Sequence, residues 1–233
     1  MATDKIKIEK PVMTTEKINE MLNITDTFDA PSRLMDILQD RVEREKIFIE
    51  MRKLSKNKLN YDWFSEYFQE TFADKKRQGQ VHTPPHIANL LAMLLLPQTG
   101  GFVLEPCAGT GSLTIGQWNQ ISNRKNYRPS DHLFICEELS ANAIPFLIFN
   151  LAIKGVNAVV NHCDVMTRES QGVFFIYNEK DNPKDFSTIN RMPYIEFSEK
   201  LFDVKFVNER YPEQAELNVA AEQKVKEIYA NKK

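Results

Sequence analysis

The sequence has no excess of positive charge. Its 233 residues include 30 Lys and Arg against 32 Asp and Glu, which leaves a formal net charge of −2. Proteins that attract nucleic acid over their whole surface carry a clear positive surplus, because basic side chains must neutralise the phosphates. The charge balance therefore excludes a long-range positive field. Any contact with DNA has to be local or supplied by a partner.

The chain also lacks long apolar runs and closely spaced cysteines. The apolar stretch 90–96 is far too short to cross a bilayer, and the N-terminus has no apolar segment typical of a secretory signal. Cys107, Cys136 and Cys163 stand too far apart for a disulfide framework or a zinc motif, and the four histidines show no metal-ligand spacing. These absences predict a cytoplasmic protein with no membrane association and no bound metal.

Residues 1–76 are predicted to form an N-terminal helical region. A short helix is expected at 15–22, and Asp29-Ala30-Pro31-Ser32 is typical of a helix start. The apolar residues between 34 and 51 have approximately helical spacing, which predicts a helix that is broken at 57–60. A second helix near Asp62 carries aromatic residues at 64, 68 and 72, which we interpret as packing residues.

Residues 77–233 alternate between apolar strands and helices. Strands are predicted at 102–104, 133–136 and 158–162, and this alternation predicts an α/β fold with a parallel, doubly wound sheet. Two runs rich in β-branched and aromatic residues, 173–177 and 194–197, predict a two-stranded insertion within 173–199. Residues 202–207 are predicted to be the next strand of the main sheet.

The segment 102–112 carries the strongest chemical signal. An apolar strand ends in Glu105-Pro106, and Ala108, Gly109, Thr110 and Gly111 then form a glycine-rich turn into a helix. Such a turn cradles a small polar ligand at the edge of a parallel sheet. The third glycine of the dinucleotide fingerprint is missing. The carboxylate favours a ligand with a positive amino group over a pyrophosphate, because like charges repel in a half-buried site.

The residues from 64 to 211 resemble the N6-adenine DNA methylase family, most closely the M subunits of type I restriction–modification systems. The motif Glu-Pro-x-Ala-Gly-Thr-Gly and a Thr-Pro pair before an apolar helix carry the resemblance. It implies a Rossmann-like methyltransferase domain at 77–233 that binds S-adenosylmethionine (SAM). The SAM-binding residues that it implies are Thr83, Glu105, Pro106, Ala108, Gly109, Thr110, Gly111, Glu138 and Asp164.

Three of these positions have alternative interpretations. Thr83 is also a natural N-cap for the helix that follows it, with proline just inside. Glu137 competes with Glu138 for the cofactor ribose, and strand alternation cannot place both acids on one face. The family pattern favours Glu138. Asp164, which by resemblance accepts a hydrogen bond from the cofactor adenine, is equally suited to be the N-cap of a helix that follows its strand.

The family's catalytic motif, Asn-Pro-Pro followed by an aromatic residue, is altered in this chain. Its counterpart is Asn208-Glu209-Arg210-Tyr211, which keeps the amide of Asn208 and the ring of Tyr211 but loses both prolines. By resemblance, the Asn oxygen accepts a hydrogen bond from the amino group at adenine N6, and the aromatic ring stacks on the flipped base. Glu209 still offers a carbonyl, but nothing fixes its φ angle as proline would. The segment 190–194, which ends in Pro-Tyr, is the second candidate for the counterpart of this motif.

The resemblance leaves three functional hypotheses. The first is an adenine-N6 DNA methyltransferase that works with a specificity subunit. The second is a catalytically inactive protein with a methyltransferase fold, acting as a binding, regulatory or anti-restriction factor. The third is a methyltransferase for another amide-like nitrogen, such as a glutamine side chain. Family members continue past this point with further strands and a target-recognition region. The sheet is therefore expected to be incomplete on one side, where the insertion within 173–199 or a partner chain would protect the fourth strand.

Overall fold

Two of the N-terminal helices begin where a side chain accepts backbone N–H groups of the first turn. The computed structural model describes residues 13–72, 83–95, 100–212 and 219–230. Helix α1 spans Thr15–Leu22, as predicted, α2 spans Ala30–Gln39 and α3 spans Arg41–Leu54. The prediction of one helix over the apolar residues from 34 to the break at 57 is therefore wrong. Asp40 has an extended conformation, and its carboxylate accepts the N–H groups of Val42 and Glu43, which starts a new helix.

Helix α4 (Ser65–Thr71) and the residues beside it carry the aromatic stripe. Trp63, Phe64, Tyr67 and Phe68 are all buried. The rings of Phe64 and Phe68 contact Phe146, at centroid distances of 5.0 and 5.7 Å. This burial confirms the interpretation of the aromatic residues as packing residues. The expected boundary between 76 and 77 lies outside the described residues.

Three parallel strands form one half of the sheet. They are β1 (Gly101–Pro106), β2 (His132–Glu138) and β3 (Ala158–Cys163), with Glu105 opposite Cys136 and Glu138 opposite His162. Helix α5 (Pro85–Leu94) precedes β1, α6 (Ser112–Ser122) joins β1 to β2, and α7 (Ile144–Ile153) joins β2 to β3. All ten residues of α7 are buried. The predicted α/β fold with a Rossmann-like core is confirmed.

The second half of the sheet differs from the prediction. Strand β4 (Glu169–Tyr177) pairs antiparallel with β3, and β5 (Thr188–Arg191) pairs antiparallel with β4. These strands belong to the main sheet, so they are not a separate insertion. The expected strand at 194–197 is wrong, because helix α8 (Glu196–Phe202) begins there.

The expected main-sheet strand at 202–207 is reduced to two residues. Strand β6 (Lys205–Phe206) pairs in parallel with β4 at Glu169 and Ser170. Phe202 ends α8, and Asp203 takes a left-handed conformation that closes the helix. The segment leading to Asn208 therefore lies against β4, on the far side of β3 from β1.

The two faces of the sheet bury separate hydrophobic clusters. One face packs against α6, α7 and the N-terminal helices, with Phe146, Phe149 and Phe174 in its cluster. The other face packs against α8 and α9 (Val219–Ala230), with Phe175, Phe202 and Val225. Residues from the helical region and from the strand–helix units share the first cluster, so they form one continuous core.

Strand β1 lies at the end of the sheet in the described part of the chain, where it pairs with β2 alone. Its side chains Phe102 and Leu104 are 41% and 60% exposed. In a doubly wound sheet the first strand is central, and the ligand crevice opens where the strand order reverses beside it. The described strands run in the order β1-β2-β3-β4-β5 with no such reversal beside β1, so the doubly wound order expected from the sequence is not present among the described residues.

Candidate cofactor site at the carboxyl edge of the sheet

The loop between β1 and α6 is held in an unusual backbone conformation. Cys107, Gly109 and Gly111 have φ angles of 62°, 57° and 94°. A Cβ atom at Gly111 would lie 2.8 Å from Cδ1 of Leu147, a side chain in the core of α7. Glycine is thus required at 111 both for its φ angle and for the close approach of the loop to α7.

Glu138 connects the end of β2 to this loop. Its Oε2 accepts the N–H of Gly109 at 2.6 Å, and its Oε1 accepts the N–H of Ser140 at 2.6 Å. Glu137 points to the other face of the sheet, where it forms an ion pair of 2.8 Å with Arg168. Of the two adjacent acids, Glu138 is the one that faces the glycine loop.

Glu105 lies beneath the loop at the start of α6. It accepts hydrogen bonds from the backbone N–H of Thr114, at 2.9 Å, and from the Thr114 hydroxyl. Burial raises the pKa of Glu105 to about 7, and the Thr114 hydrogen bonds only partly oppose this effect. A cationic group beside Glu105 would favour its ionised form.

Asp164 follows β3 at the same edge. Its Oδ1 accepts the N–H groups of Met166 and Thr167 at 2.8 and 3.3 Å, so the side chain caps the turn after the strand. The half-exposed carboxylate therefore has a structural role of its own. The alternative interpretation expected it to cap a helix, but the residues after it form a turn.

Carboxylates converge on the exposed Cys107 at the head of the loop. Burial raises the pKa of the Cys107 thiol, and the negative charges of Glu138, Glu137, Asp164 and Glu105 raise it further. This edge of the sheet is therefore electronegative. It disfavours a polyphosphate ligand and favours a ligand that carries positive charge.

The remaining predicted cofactor residues surround the same loop, except Thr83. Ala108 and Thr110 are buried in the loop, and Pro106 is exposed at the end of β1. Thr83 is half-buried before α5, but the expectation that it caps this helix is wrong. The N-cap is Pro84, which makes no side-chain cap hydrogen bond, because the helix begins one residue later than expected.

Tyr211 is buried, with 7% of its surface exposed. Its hydroxyl is 2.7 Å from Nδ1 of His162, whose Nε2 is 3.1 Å from the carbonyl oxygen of Leu139. Burial lowers the pKa of His162 to about 4, so the ring is neutral, donates from Nε2 and accepts from Tyr211. In this conformation the Tyr211 ring packs against Phe174 and Gly172 and offers no face to a base.

Asn208 lies on the surface, three residues before Tyr211. It lines an open groove of about 340 Å³ together with Tyr194, Glu196 and Phe206. In the second placement of the motif, the Asn190 amide is committed to the sheet, where it donates to the carbonyl of Phe175 at 3.1 Å. Of the two asparagines, Asn208 is the one with an exposed side chain.

Three residues that contact the site were not identified from the sequence. His162 binds Tyr211, and both Asp62 and Asn150 reach the buried side of the glycine loop. Asn150 had a visible signal, because it is a single amide in the otherwise apolar helix 144–153. The described residues contain no cluster of side chains suited to a metal ion.

The comparisons with known proteins agree with this geometry. The profile of the family described as N-6 DNA Methylase matches residues 60–229, which is well over half of the chain. The chain belongs to the N-6 DNA Methylase family. Members of this family generally use SAM as their methyl donor. The matched region extends from just before Asp62 into the last turn of α9 and includes residues 208–211.

Two methylase subunits from Methanocaldococcus jannaschii are similar to this chain. The type I restriction enzyme MjaVII methylase subunit is 24% identical over 153 residues, which cover 60% of this chain and 26% of the relative. The MjaVIII methylase subunit is 33% identical over 66 residues, which cover 28% and 11%. The matched stretches therefore span about a quarter and a tenth of the lengths of these relatives.

No solved structure matched the chain significantly. Within the described residues, none of the helices is long and apolar enough to cross a membrane. The assignment to the family therefore rests on the sequence profile and on the two relatives.

Proposed function

We propose that this chain binds SAM at the carboxyl edge of β1, β2 and β3, and that it takes part in adenine-N6 methylation of DNA. The observation that supports this most strongly is the electronegative edge, where Glu105, Glu138 and Asp164 act on Cys107 at the head of the glycine loop and Glu138 bonds to Gly109. SAM carries a sulfonium and an ammonium group, and both are positive. Family membership supports the same ligand.

The residues present match the chemical groups of this cofactor. Glu105 is suited to the methionine ammonium, and Thr83, before the N-terminus of α5, is suited to the methionine carboxylate. The loop that follows Pro106, with Ala108, Gly109, Thr110 and Gly111, allows a close approach of the methionine half of the cofactor. Glu138 is suited to the ribose hydroxyls. Asp164 is suited to the exocyclic amine of the cofactor adenine, using the lone pairs that its turn leaves free.

The bound cofactor would supply an electrophilic methyl group, and the acceptor would be the adenine amine. The side-chain oxygen of Asn208 is proposed to accept a hydrogen bond from that amine, which increases the electron density on the nitrogen. Tyr211 is proposed to stack on the base, and this requires it to leave the hydrogen bond with His162. Catalysis therefore needs a rearrangement of residues 208–211. The proposed substrate is DNA, which the chain would reach through a specificity subunit. A partner chain is proposed to bind at the edge of the sheet.

We expect the double variant Glu209→Pro/Arg210→Pro to transfer methyl groups to adenine-containing DNA at least about tenfold faster than the natural sequence. The prolines restrict the backbone, which fixes the carbonyl beside Asn208. Both replaced side chains are exposed, so the fold should be retained. The measurement is incorporation of radiolabelled methyl groups from SAM. Adding Asn208→Ala to the double variant is the control, and it should return transfer to background.

A second candidate function is a SAM-binding protein that does not catalyse transfer and acts as a regulatory or anti-restriction factor. The burial of Tyr211 and the pairing of β6 with β4 favour it, because both keep the altered motif away from β1. If neither the natural chain nor the double-proline variant transfers methyl groups, with or without methylase-system partners, while both bind SAM, the enzymatic proposal fails and this candidate replaces it.

A further inference from the structure

A buried polar cluster lies beneath the glycine loop, on the side that faces α7 and the N-terminal helical region. Its centre is Asp62, which stands between α3 and α4 in the N-terminal helical region and is itself buried. The Asp62 Oδ2 accepts the hydroxyl of Thr110 and the hydroxyl of Ser112, both at 2.6 Å. One carboxylate oxygen thus holds the loop and the first residue of α6 together.

The second oxygen of Asp62 is fixed from another direction. Its Oδ1 accepts the side-chain amide of Asn150 at 2.9 Å and the backbone N–H of Phe64 at 3.1 Å. The same Asn150 amide donates to the carbonyl of Thr110 at 2.9 Å. Helix α7 and the helical region therefore reach the loop through the same two side chains. Asp62 accepts four hydrogen bonds in all, which satisfies a buried carboxylate.

A lysine at the C-terminal end of α7 completes the cluster. Lys154 is fully buried, donates from Nζ to Oδ1 of Asn150 at 3.2 Å, and lies 4.4 Å from the centre of the Trp63 ring. Burial lowers the pKa of Lys154 to about 7, although the negative charge of Asp62 opposes this shift. The hydrogen bond from Nζ orients the Asn150 amide, so that its Nδ2 faces Asp62 and Thr110.

The backbone of the loop explains why such support matters. Cys107, Gly109 and Gly111 all have positive φ angles, which the loop keeps only if the surroundings hold it. A loop already fixed in the binding conformation loses little freedom when a ligand arrives, and this improves affinity. The side chain of Thr110 is turned inward to Asp62, so the backbone of the loop is what remains for a ligand.

We infer that Asp62 is a positioning residue for the cofactor site: through Thr110 and Ser112 it holds the glycine loop in the conformation that receives the methionine half of SAM. This inference rests on the proposed SAM binding. It assigns to the N-terminal helical region a direct part in the cofactor site, although Asp62 lies outside the strand–helix units and touches no part of the ligand.

The first test is calorimetric titration with SAM. Asp62→Ala is expected to weaken SAM binding about 10- to 100-fold, because the hydroxyls of Thr110 and Ser112 lose a charged acceptor. Asp62→Asn, which keeps the shape and one oxygen, should fall between this variant and the natural protein. It also serves as the test variant if Asp62→Ala does not fold. The control is Asn178→Ala, which removes a buried amide that bonds to the carbonyls of Gly155 and Asn182, away from the loop. Its SAM affinity should not change.

A double-mutant cycle separates positioning from general stability. In the Thr110→Val/Ser112→Ala background, replacing Asp62 by Asn should cause little further loss of SAM affinity, because the contacts through which it acts are already gone. A further loss equal to that in the natural background would overturn the inference. So would an unchanged affinity in both Asp62 variants.

Amide hydrogen exchange without any ligand keeps this inference distinct from the proposed function. Asp62→Asn should increase exchange of the amides in 107–112 at least about tenfold, while amides of β2 and β3 stay protected. Faster exchange in the loop, together with no SAM binding by the natural protein, would refute the proposed function and the cofactor role of Asp62. Unchanged exchange in the loop would refute the positioning itself, whatever the protein binds.

Discussion

Replacing Phe149 by alanine is expected to lower the free energy of unfolding by about 3–5 kcal/mol, the range for removing a fully buried aromatic side chain. Phe149 lies in α7, and its ring meets those of Phe48 and Phe64 edge-on, at centroid distances of 4.8 and 5.2 Å. These two partners belong to the N-terminal helical region. The substitution therefore removes two of the ring contacts that join this region to the strand–helix units.

The two tryptophans of the chain allow a direct measurement of this effect. Trp63 reports on the helical region and Trp118 on α6, so the variants Trp63→Phe and Trp118→Phe give single-tryptophan probes. Urea unfolding followed with each probe should give one shared transition, before and after the Phe149 substitution. Phe149→Leu, the matched control, should cost roughly 1–2 kcal/mol. Separate transitions for the two probes would contradict a common core.

Gly111→Ala is expected to lower the free energy of unfolding by about 3 kcal/mol and to weaken SAM binding at least about tenfold. A φ angle of 94° strains any residue with a Cβ, and the new methyl group would lie 2.8 Å from Leu147 Cδ1. Leu147 is fully buried and has little room to move. The loop must therefore shift away from α7, and its backbone leaves the position that faces the cofactor.

The same substitution at Gly116 is the control. Gly116 lies within α6 at an ordinary φ angle, and a Cβ there would be 3.3 Å from the Cβ of Ala92 on α5. Alanine has a higher helix propensity than glycine, which offsets this close contact, so the stability should change by less than about 1 kcal/mol. SAM affinity should not change. If Gly111→Ala behaved like Gly116→Ala in both measurements, the requirement for glycine in the loop would be disproved.

Elements controlled by local sequence were predictable. Helix α1 has the predicted bounds of 15–22, since its cap residues and apolar spacing lie within the same short segment. The positions of β1, β2 and β3 were predictable because each strand is a short apolar run with an acidic residue at or just after its end. Non-local pairing was not predictable. The aromatic composition of 194–197 and 202–206 is typical of strands, yet these segments lie at the two ends of α8. There the ring centroids of Tyr194 and Phe206 are 4.8 Å apart.

The candidate site divides in the same way. Glu105, Glu138 and Asp164 were identified because they follow three successive strands whose carboxyl ends must share one edge. Asp62 bonds to Thr110 across 48 residues, and Tyr211 bonds to His162 across 49. Nothing in the sequence near these residues indicates such contacts, because they depend on how α4 and the segment after β6 return to the sheet.

The position of β1 gives the proposed function its structural limit. The glycine loop, Glu138 and Asp164 lie along the edge formed by β1, β2 and β3, whereas Asn208 follows a strand that pairs with β4. The proposed cofactor binding thus uses residues that are already assembled. The proposed methyl transfer would require Asn208 and Tyr211 to change position. The two activities should therefore be separable by mutation.

The most direct test of the central claim is calorimetric titration of the natural protein, Glu138→Ala and Glu137→Ala with SAM, using S-adenosylhomocysteine as a second ligand. We predict micromolar binding by the natural protein and by Glu137→Ala, whose acid faces Arg168 on the other side of the sheet. Glu138→Ala should bind at least about 100-fold more weakly, because it loses the ribose acceptor and the bond to Gly109. No binding by the natural protein, or equal binding by Glu138→Ala, would contradict the cofactor site described for this edge of the sheet.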